Sequence, residues 1–127
     1  MRRVSHAVAL LLSGVATGCA TYQAYEGAAR STAEVAIIEG SAKLRSEVPL
    51  ALMIRSVDGR EVDLRYASVA VLPGNHLLIV DCQLGGTSGT TSRHSLKIDV
   101  PAGRRYWLDA EMAPGNRACA GIELVPR

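Results

Sequence analysis

Three residues in the middle of the chain are of the types that form a nucleophilic catalytic triad: Asp81, His94 and Ser95. In such a triad the histidine accepts the proton of the serine while the carboxylate orients the imidazole. The chain has no Gly-x-Ser-x-Gly elbow to present a nucleophile. Because His94 and Ser95 are adjacent, a regular strand points them to opposite faces. We therefore expect no catalytic residues and no enzyme.

A metal site is the second chemistry to consider, because His76 and His94 with Asp81 are donor types that zinc accepts. No pair of cysteines or histidines has the short spacing typical of zinc ligands. We expect no metal and no cofactor, and we expect both histidines at solvent-exposed strand ends.

Cys82 and Cys119 are the two cysteines that follow Cys19. An even pair in an oxidising compartment is typical of a disulfide, which we expect here. Cys82 is in step with the apolar Leu78 and Val80, whereas Cys119 is out of step with the apolar residues after it. A β-bulge, or a strand that begins just after Cys119, would bring the thiols together. The alternative is two separate thiols, one buried and one near the surface.

Trp107 alternates with Arg105 and Asp109 on the polar side of a predicted strand. An exposed indole beside an arginine is the composition of recognition hot spots, and an indole can also stack on sugar. Trp107 and Arg105 are therefore the candidate recognition residues. The alternative is that Trp107 packs beneath the N-terminal spacer or beneath residues 40–47.

The elements that position these residues are short strands, because apolar and polar residues alternate between turn signals. Asp58-Gly59 is the strongest hairpin signal, since both residues tolerate the positive φ of a type I′ turn. Residues 40–49 are polar and predict a connection, whereas the apolar residues 76–83 are typical of a strand buried on both faces. The predicted strands lie at residues 35–39, 49–57, 61–66, 68–72, 76–83, 92–100, 104–112 and 118–125.

Seven or eight such strands predict an all-β protein, an antiparallel β-sandwich. No stretch after residue 18 must be a helix. Phenylalanine is absent, so the core is expected to be aliphatic.

The start of the chain is similar to an export signal. Arg2 and Arg3 precede an apolar run at residues 7–12 that is too short to span a bilayer, and small residues follow.

The tetrad Ala16-Thr17-Gly18-Cys19 resembles the lipobox of bacterial lipoproteins. The resemblance implies cleavage between Gly18 and Cys19 and acylation of Cys19 with chains such as palmitate. Two or three chains anchor stably where one is marginal. The next residue is Ala20 rather than aspartate, which implies the periplasmic leaflet of the outer membrane. The alternatives are an ordinary signal peptide that leaves a free thiol, and a retained, uncleaved helix.

The chain thus divides into a signal peptide at residues 1–18, a lipidated tether at residues 19–33 and a β-sandwich domain at residues 34–127. Residues 20–32 are small and polar, which predicts a flexible spacer whose Tyr22 and Tyr25 are exposed or rest at the headgroup level. Without the two arginines of the signal, the basic residues equal the 12 acidic ones. No nucleic-acid partner is expected, because that requires a basic stripe.

Two stretches are similar to the turn and core pattern of PEGA-like sandwich domains, which occur in bacterial lipoproteins and whose function is uncharacterised. They are residues 68–80, with Leu72-Pro73-Gly74 before His76, and residues 102–110, with Ala102-Gly103-Arg104 before Tyr106. The resemblance covers residues 50–112 and brings no catalytic residues.

Together these features predict a membrane-anchored, periplasm-facing lipoprotein that acts as an interaction or scaffold module, with an envelope protein as partner. A module that binds peptidoglycan or lipopolysaccharide is the alternative. A small hydrolase is the second alternative.

Overall fold

The computed structural model describes residues 20–45, 47–86 and 89–127. Gly18 and Cys19, the predicted cleavage and lipidation positions, lie outside the described residues. The described part of the chain is nearly all β-structure, with ten strands and no α-helix. The strands are β1 (Thr21–Gln23), β2 (Ala36–Glu39), β3 (Ser41–Arg45), β4 (Val48–Val57), β5 (Arg60–Glu61), β6 (Ser68–Val71), β7 (Gly74–Leu84), β8 (Thr90–Val100), β9 (Arg105–Met112) and β10 (Cys119–Pro126).

The strands form two five-stranded sheets. The first has the order β1-β6-β2-β9-β10, and the second has the order β3-β4-β7-β8 with β5 paired to β4. β1 runs parallel to β6, and β2 runs parallel to β9. The prediction of purely antiparallel pairing is therefore wrong for the first sheet. Both parallel pairs join strands far apart in the chain, which no hairpin forces to run antiparallel.

Buried residues from both sheets form one hydrophobic cluster. Ile38 and Leu108 from the first sheet, and Leu52 and Leu78 from the second, are at most 2% exposed. Isoleucine, leucine and valine thus fill the core, as the absence of phenylalanine predicted.

The sequence missed two strands. β1 lies in the predicted spacer, and β3 lies in the predicted connection at residues 40–49. β3 pairs along the edge of β4 in register from Ser41 with Leu52 to Arg45 with Val48. Its polar composition suits an edge strand, which has one neighbour and keeps charged side chains at the rim.

The hairpin at Asp58 and Gly59 is confirmed, with φ of 50° and 80°. The return strand is shorter than predicted: it ends at Glu61, whereas the prediction extended it to Tyr66. A local turn replaces it: the Asp63 carboxylate accepts the Arg65 N–H at 3.0 Å, and the Tyr66 N–H donates to the Asp63 carbonyl.

β7 is buried on its inner face and only partly on its outer face, where Asp81 is 8% exposed, so the prediction of burial on both faces holds only in part. Leu78 and Val80 on the inner face are fully buried, whereas Leu77 on the outer face is 38% exposed. The outer face of the second sheet carries polar cross-strand partners instead of a second apolar layer: Asp81 lies opposite Arg93 of β8.

The N-terminal segment is docked on the domain, so the prediction of a flexible spacer is wrong from Thr21 onward. Thr21 pairs with Ser68, and the two hydroxyls lie 2.8 Å apart. Tyr25 is 8% exposed in a small cluster on the first sheet with Val35 and Ile37. The physical reason is that β2 is apolar on both faces, and the segment covers its outer face.

Cys82 of β7 and Cys119 of β10 lie at disulfide-bonding distance, with their Cα atoms 6.6 Å apart. The register of β10 against β9 shifts between Cys119 and Gly121. This bulge brings Cys119 into the buried core, which is one of the two arrangements the sequence required for the pair.

Candidate functional site

Trp107 lies on β9 beside Glu39 of β2, its neighbour in the parallel register. Its side chain is half-buried, and the Lys43 ammonium lies 4.9 Å from the ring centroid. This is a cation–π contact, which attracts the positive charge to the face of the indole. Trp107 thus contacts β3, within the segment at residues 40–47 that was one alternative for its packing.

Gly40 lines the open space beside the indole. It separates β2 in the first sheet from β3 in the second, so the chain changes sheet at this residue. A Cβ at Gly40 would come 2.5 Å from the Leu52 carbonyl oxygen, closer than side chains tolerate. A glycine is therefore needed for the two strands to diverge beside β4.

Beyond Gly40, side chains of β3 reach across to β9. The Lys43 ammonium donates to Asp109 at 2.6 Å, and Arg45 donates to the Ala110 carbonyl at 3.0 Å. Partial burial alone would raise the pKa of Asp109, but the hydrogen bonds from Lys43 and the Ala110 N–H, with the nearby charges, lower it below its ordinary value. Asp109 is thus held as a carboxylate that fixes both cations.

Glu39, the register neighbour of Trp107 on β2, pairs with two arginines. Arg105 donates to one carboxylate oxygen at 3.0 Å, and Arg127 contacts the other. The predicted recognition residue Arg105 therefore lies in the same cluster as Trp107, with its side chain 53% exposed.

An open cleft of about 420 Å³ lies beside the indole, and we call it the Trp107 cleft. It is lined by Glu39, Gly40, Ser41, Ala42, Lys43, Trp107 and Arg127. Within and beside it the four cations Lys43, Arg45, Arg105 and Arg127 outnumber by one the carboxylates Glu39, Asp109 and Glu123, the last being the register partner of Asp109. Such a surface suits a ligand or partner that carries carboxylates or phosphates.

The three residues of the hypothetical triad are not brought together. Asp81 lies on the outer face of β7 and accepts two hydrogen bonds from Arg93, at 2.8 and 3.2 Å. His94 instead pairs with Ser92, whose hydroxyl lies 2.8 Å from Nε2. Ser92 was missed, although residues two apart on a strand share a face and the sequence carried that signal.

The prediction that His76 lies at a solvent-exposed strand end is wrong, because its side chain is only 12% exposed. Its Nδ1 lies 2.5 Å from an Asp58 carboxylate oxygen, and its Nε2 lies 2.6 Å from the Leu72 carbonyl oxygen. It therefore fastens the β4–β5 hairpin to β7. Within the described ranges, no group of three His, Cys, Asp or Glu side chains is arranged to hold a metal.

Comparison with known proteins gives no match to a family model, a curated protein or a solved structure. The resemblances to lipoprotein signals and PEGA-like domains therefore stay predictions. In the part of the chain that is described, no helix is long and apolar enough to cross a membrane.

Proposed function

We propose that this protein is a lipoprotein of the bacterial cell envelope, anchored through acylated Cys19 in the periplasmic leaflet of the outer membrane. Its two sheets form a PEGA-like β-sandwich that binds a partner without transforming it. The hydrophobic cluster shared by the two sheets and the Cys82–Cys119 link between them support the sandwich.

The observation that carries the binding role is the Trp107 cleft. Its polar groups are held in place by cross-strand pairs: Lys43 is fixed by Asp109, and Arg105 is fixed by Glu39. Preorganised groups lose little conformational freedom on binding, which favours recognition. Because cations are in excess, the partner we propose is an envelope protein that presents an acidic surface.

The positions of Asp81, His94 and Ser95 support a binding role over the hydrolase alternative. Asp81 is engaged by Arg93, and it lies on the face of the second sheet opposite to the face that His94 occupies. A carboxylate so placed cannot orient the imidazole for proton transfer from Ser95.

Site-specific crosslinking of the full chain in its native envelope tests this function. A photo-crosslinking amino acid replaces Ala42, an exposed residue that lines the cleft, or Asn75, an exposed control on β7 outside it. We expect a discrete product from position 42 that is absent from position 75. Trp107→Ala and Lys43→Gln should each reduce it several-fold, and melting temperatures verify that both variants fold. Equal products from both positions, or no dependence on either variant, would refute the cleft as the binding site.

A glycan-binding function is the second candidate, because an indole beside an ammonium can contact the ring and the acidic group of a sugar. Isolated peptidoglycan would then sediment the wild-type chain and not the folded Trp107→Ala variant. If the wild-type chain and the Trp107→Ala variant sediment to the same extent, the Trp107 cleft is not a peptidoglycan-binding site.

A further inference from the structure

The chain enters the folded domain immediately after Cys19. Thr21 is already in β1, in register with Ser68 of β6. Neighbouring strands are roughly 5 Å apart and consecutive Cα atoms about 3.8 Å apart. Two Cα steps separate Cys19 from Thr21, so chain connectivity allows a group attached to Cys19 to start no farther than about 13 Å from Ser68.

The residues next to Ala67 form a patch of the kind that occurs at membrane surfaces. Tyr66 packs edge-on against Tyr22 of β1, with ring centroids 5.3 Å apart. The Arg65 guanidinium lies 4.9 Å from the Tyr66 ring and donates to its hydroxyl at 3.1 Å. Leu64 is 62% exposed although it is a large apolar residue. We call Tyr22, Leu64, Arg65 and Tyr66 the anchor-side patch.

An apolar cavity of about 320 Å³ lies directly behind this patch. Its lining carries no charged side chain and comprises Gly40, Ser41, Ala42, Ala51, Leu52, Met53, Ile54, Leu64, Tyr66 and Ala67. It arises where β3 leaves the edge of β4 and residues 62–67, which are not a strand, cover that edge instead. The hydroxyl of Ser41 is buried there without a hydrogen-bond partner. The Leu64 side chain thus lies at the rim of an apolar surface that continues into the domain.

We propose that the anchor-side patch is the surface on which the domain rests on the bilayer that holds its anchor. Leu64 enters the outer acyl region, the rings of Tyr22 and Tyr66 lie at the headgroup level, and Arg65 pairs with lipid phosphate. Tyrosine prefers this depth, and arginine keeps its charge among the headgroups while its stem stays apolar. The inference deepens the proposed function and rests on the acylation of Cys19.

The patch orients the domain, whereas the acyl chains supply the affinity. A single exposed leucine buries too little apolar area to hold a protein on a membrane, but two or three acyl chains anchor it stably. We expect the anchor to bring Leu64 closer to the lipid than Leu44 of β3, which lies outside the anchor-side patch.

Depth-dependent fluorescence quenching tests the orientation. The full chain, produced with its signal, is reconstituted in vesicles of phosphatidylethanolamine and phosphatidylglycerol. Leu64→Cys or Leu44→Cys carries an environment-sensitive fluorophore, and Leu44 is the matched control because it is also exposed, at 72%. With Cys19 acylated and Cys82 bonded to Cys119, the introduced cysteine is the thiol that reacts. Both sites are exposed, so neither variant is expected to impair folding.

We expect a blue-shifted emission at position 64 and quenching by nitroxides on the lipid acyl chains several-fold stronger than at position 44. Equal quenching at the two positions, or none at either, in a protein shown by mass spectrometry to be acylated would overturn the orientation and leave the anchor standing. An unsubstituted chain whose Cys19 reacts with the label would instead overturn the anchor, and this orientation with it.

Discussion

Cys82 on β7 lies opposite Cys119 on β10, with Cα atoms 6.6 Å apart, and so joins the second sheet to the first. Both residues are buried, at 1% and 9% exposure, so the link crosses the core rather than the surface. In a domain without phenylalanine, this link complements a core built from aliphatic side chains.

Reducing this link is expected to destabilise the domain. The cysteines are 37 positions apart, and closing a loop of that size in the unfolded chain contributes roughly 3 to 4 kcal/mol in the chain-entropy model. Urea unfolding with and without a reductant measures the difference. The control is a Cys82→Ala/Cys119→Ala variant, whose midpoint should not respond to the reductant. An unchanged wild-type midpoint after complete reduction would show that the link does not stabilise the fold.

The predictable part of the fold is the local pattern. Alternation along residues 92–100 placed Ile98 and Val100 on the buried face, and the structure has them there. The Asp58-Gly59 turn was also predictable, because its positive φ values restrict the residue types. These features depend on neighbours in the chain, which the sequence shows directly.

The unpredicted part depends on partners distant in the chain. β1 is three residues long and carries no pattern of its own, and it becomes a strand because β6 offers an edge. The parallel pairing of β2 with β9 has the same origin. The Trp107 cleft was half predictable for this reason: alternation singled out Trp107 and Arg105, whereas Lys43 lay in a segment predicted to be a connection.

Tyr25 is expected to hold the N-terminal segment on the domain. Its ring packs with Val35 and Ile37, and its hydroxyl accepts the Arg30 N–H at 2.9 Å. Tyr25→Ala should cost about 2 to 4 kcal/mol, near the lower end of aromatic truncations, and should speed hydrogen exchange in residues 24–34. Tyr25→Phe removes only the hydroxyl and should cost about 1 kcal/mol. Fast exchange of this segment in the wild type would contradict docking.

Gly40→Ala is expected to destabilise the folded domain at the point where β2 and β3 diverge into different sheets. The new methyl would lie 2.5 Å from the Leu52 carbonyl oxygen, so the backbone must shift. Such overpacking costs about 1 to 3 kcal/mol. Gly121→Ala is the matched control, since its methyl would meet only a Glu111 side-chain oxygen at 3.8 Å. Similar losses of urea midpoint in the two variants would mean that the close approach at Gly40 is not what constrains this position.

Acid is expected to destabilise the domain through Asp58 and Asp109. Partial burial acts to raise the pKa of Asp58, but hydrogen bonds from His76 and from the Leu77 N–H outweigh it, so its pKa lies below the ordinary 3.8. The pKa of Asp109 is lowered in the same way by Lys43. The unfolded chain therefore binds more protons near these pKa values, and stability is lost as the pH falls through the lower, folded values.

Unfolding midpoints in urea should be level above about pH 5 and fall progressively as the pH drops below about 4, because the unfolded chain takes up protons there before the folded chain does. Asp58→Asn and Asp109→Asn should each lower the midpoint at neutral pH and make the acid slope shallower, since each removes one of the shifted groups. The slope measures proton uptake directly, so it separates electrostatic loss from general damage. A variant that keeps the wild-type slope between about pH 5 and pH 2 would show that its carboxylate has the same pKa in the folded and unfolded chain.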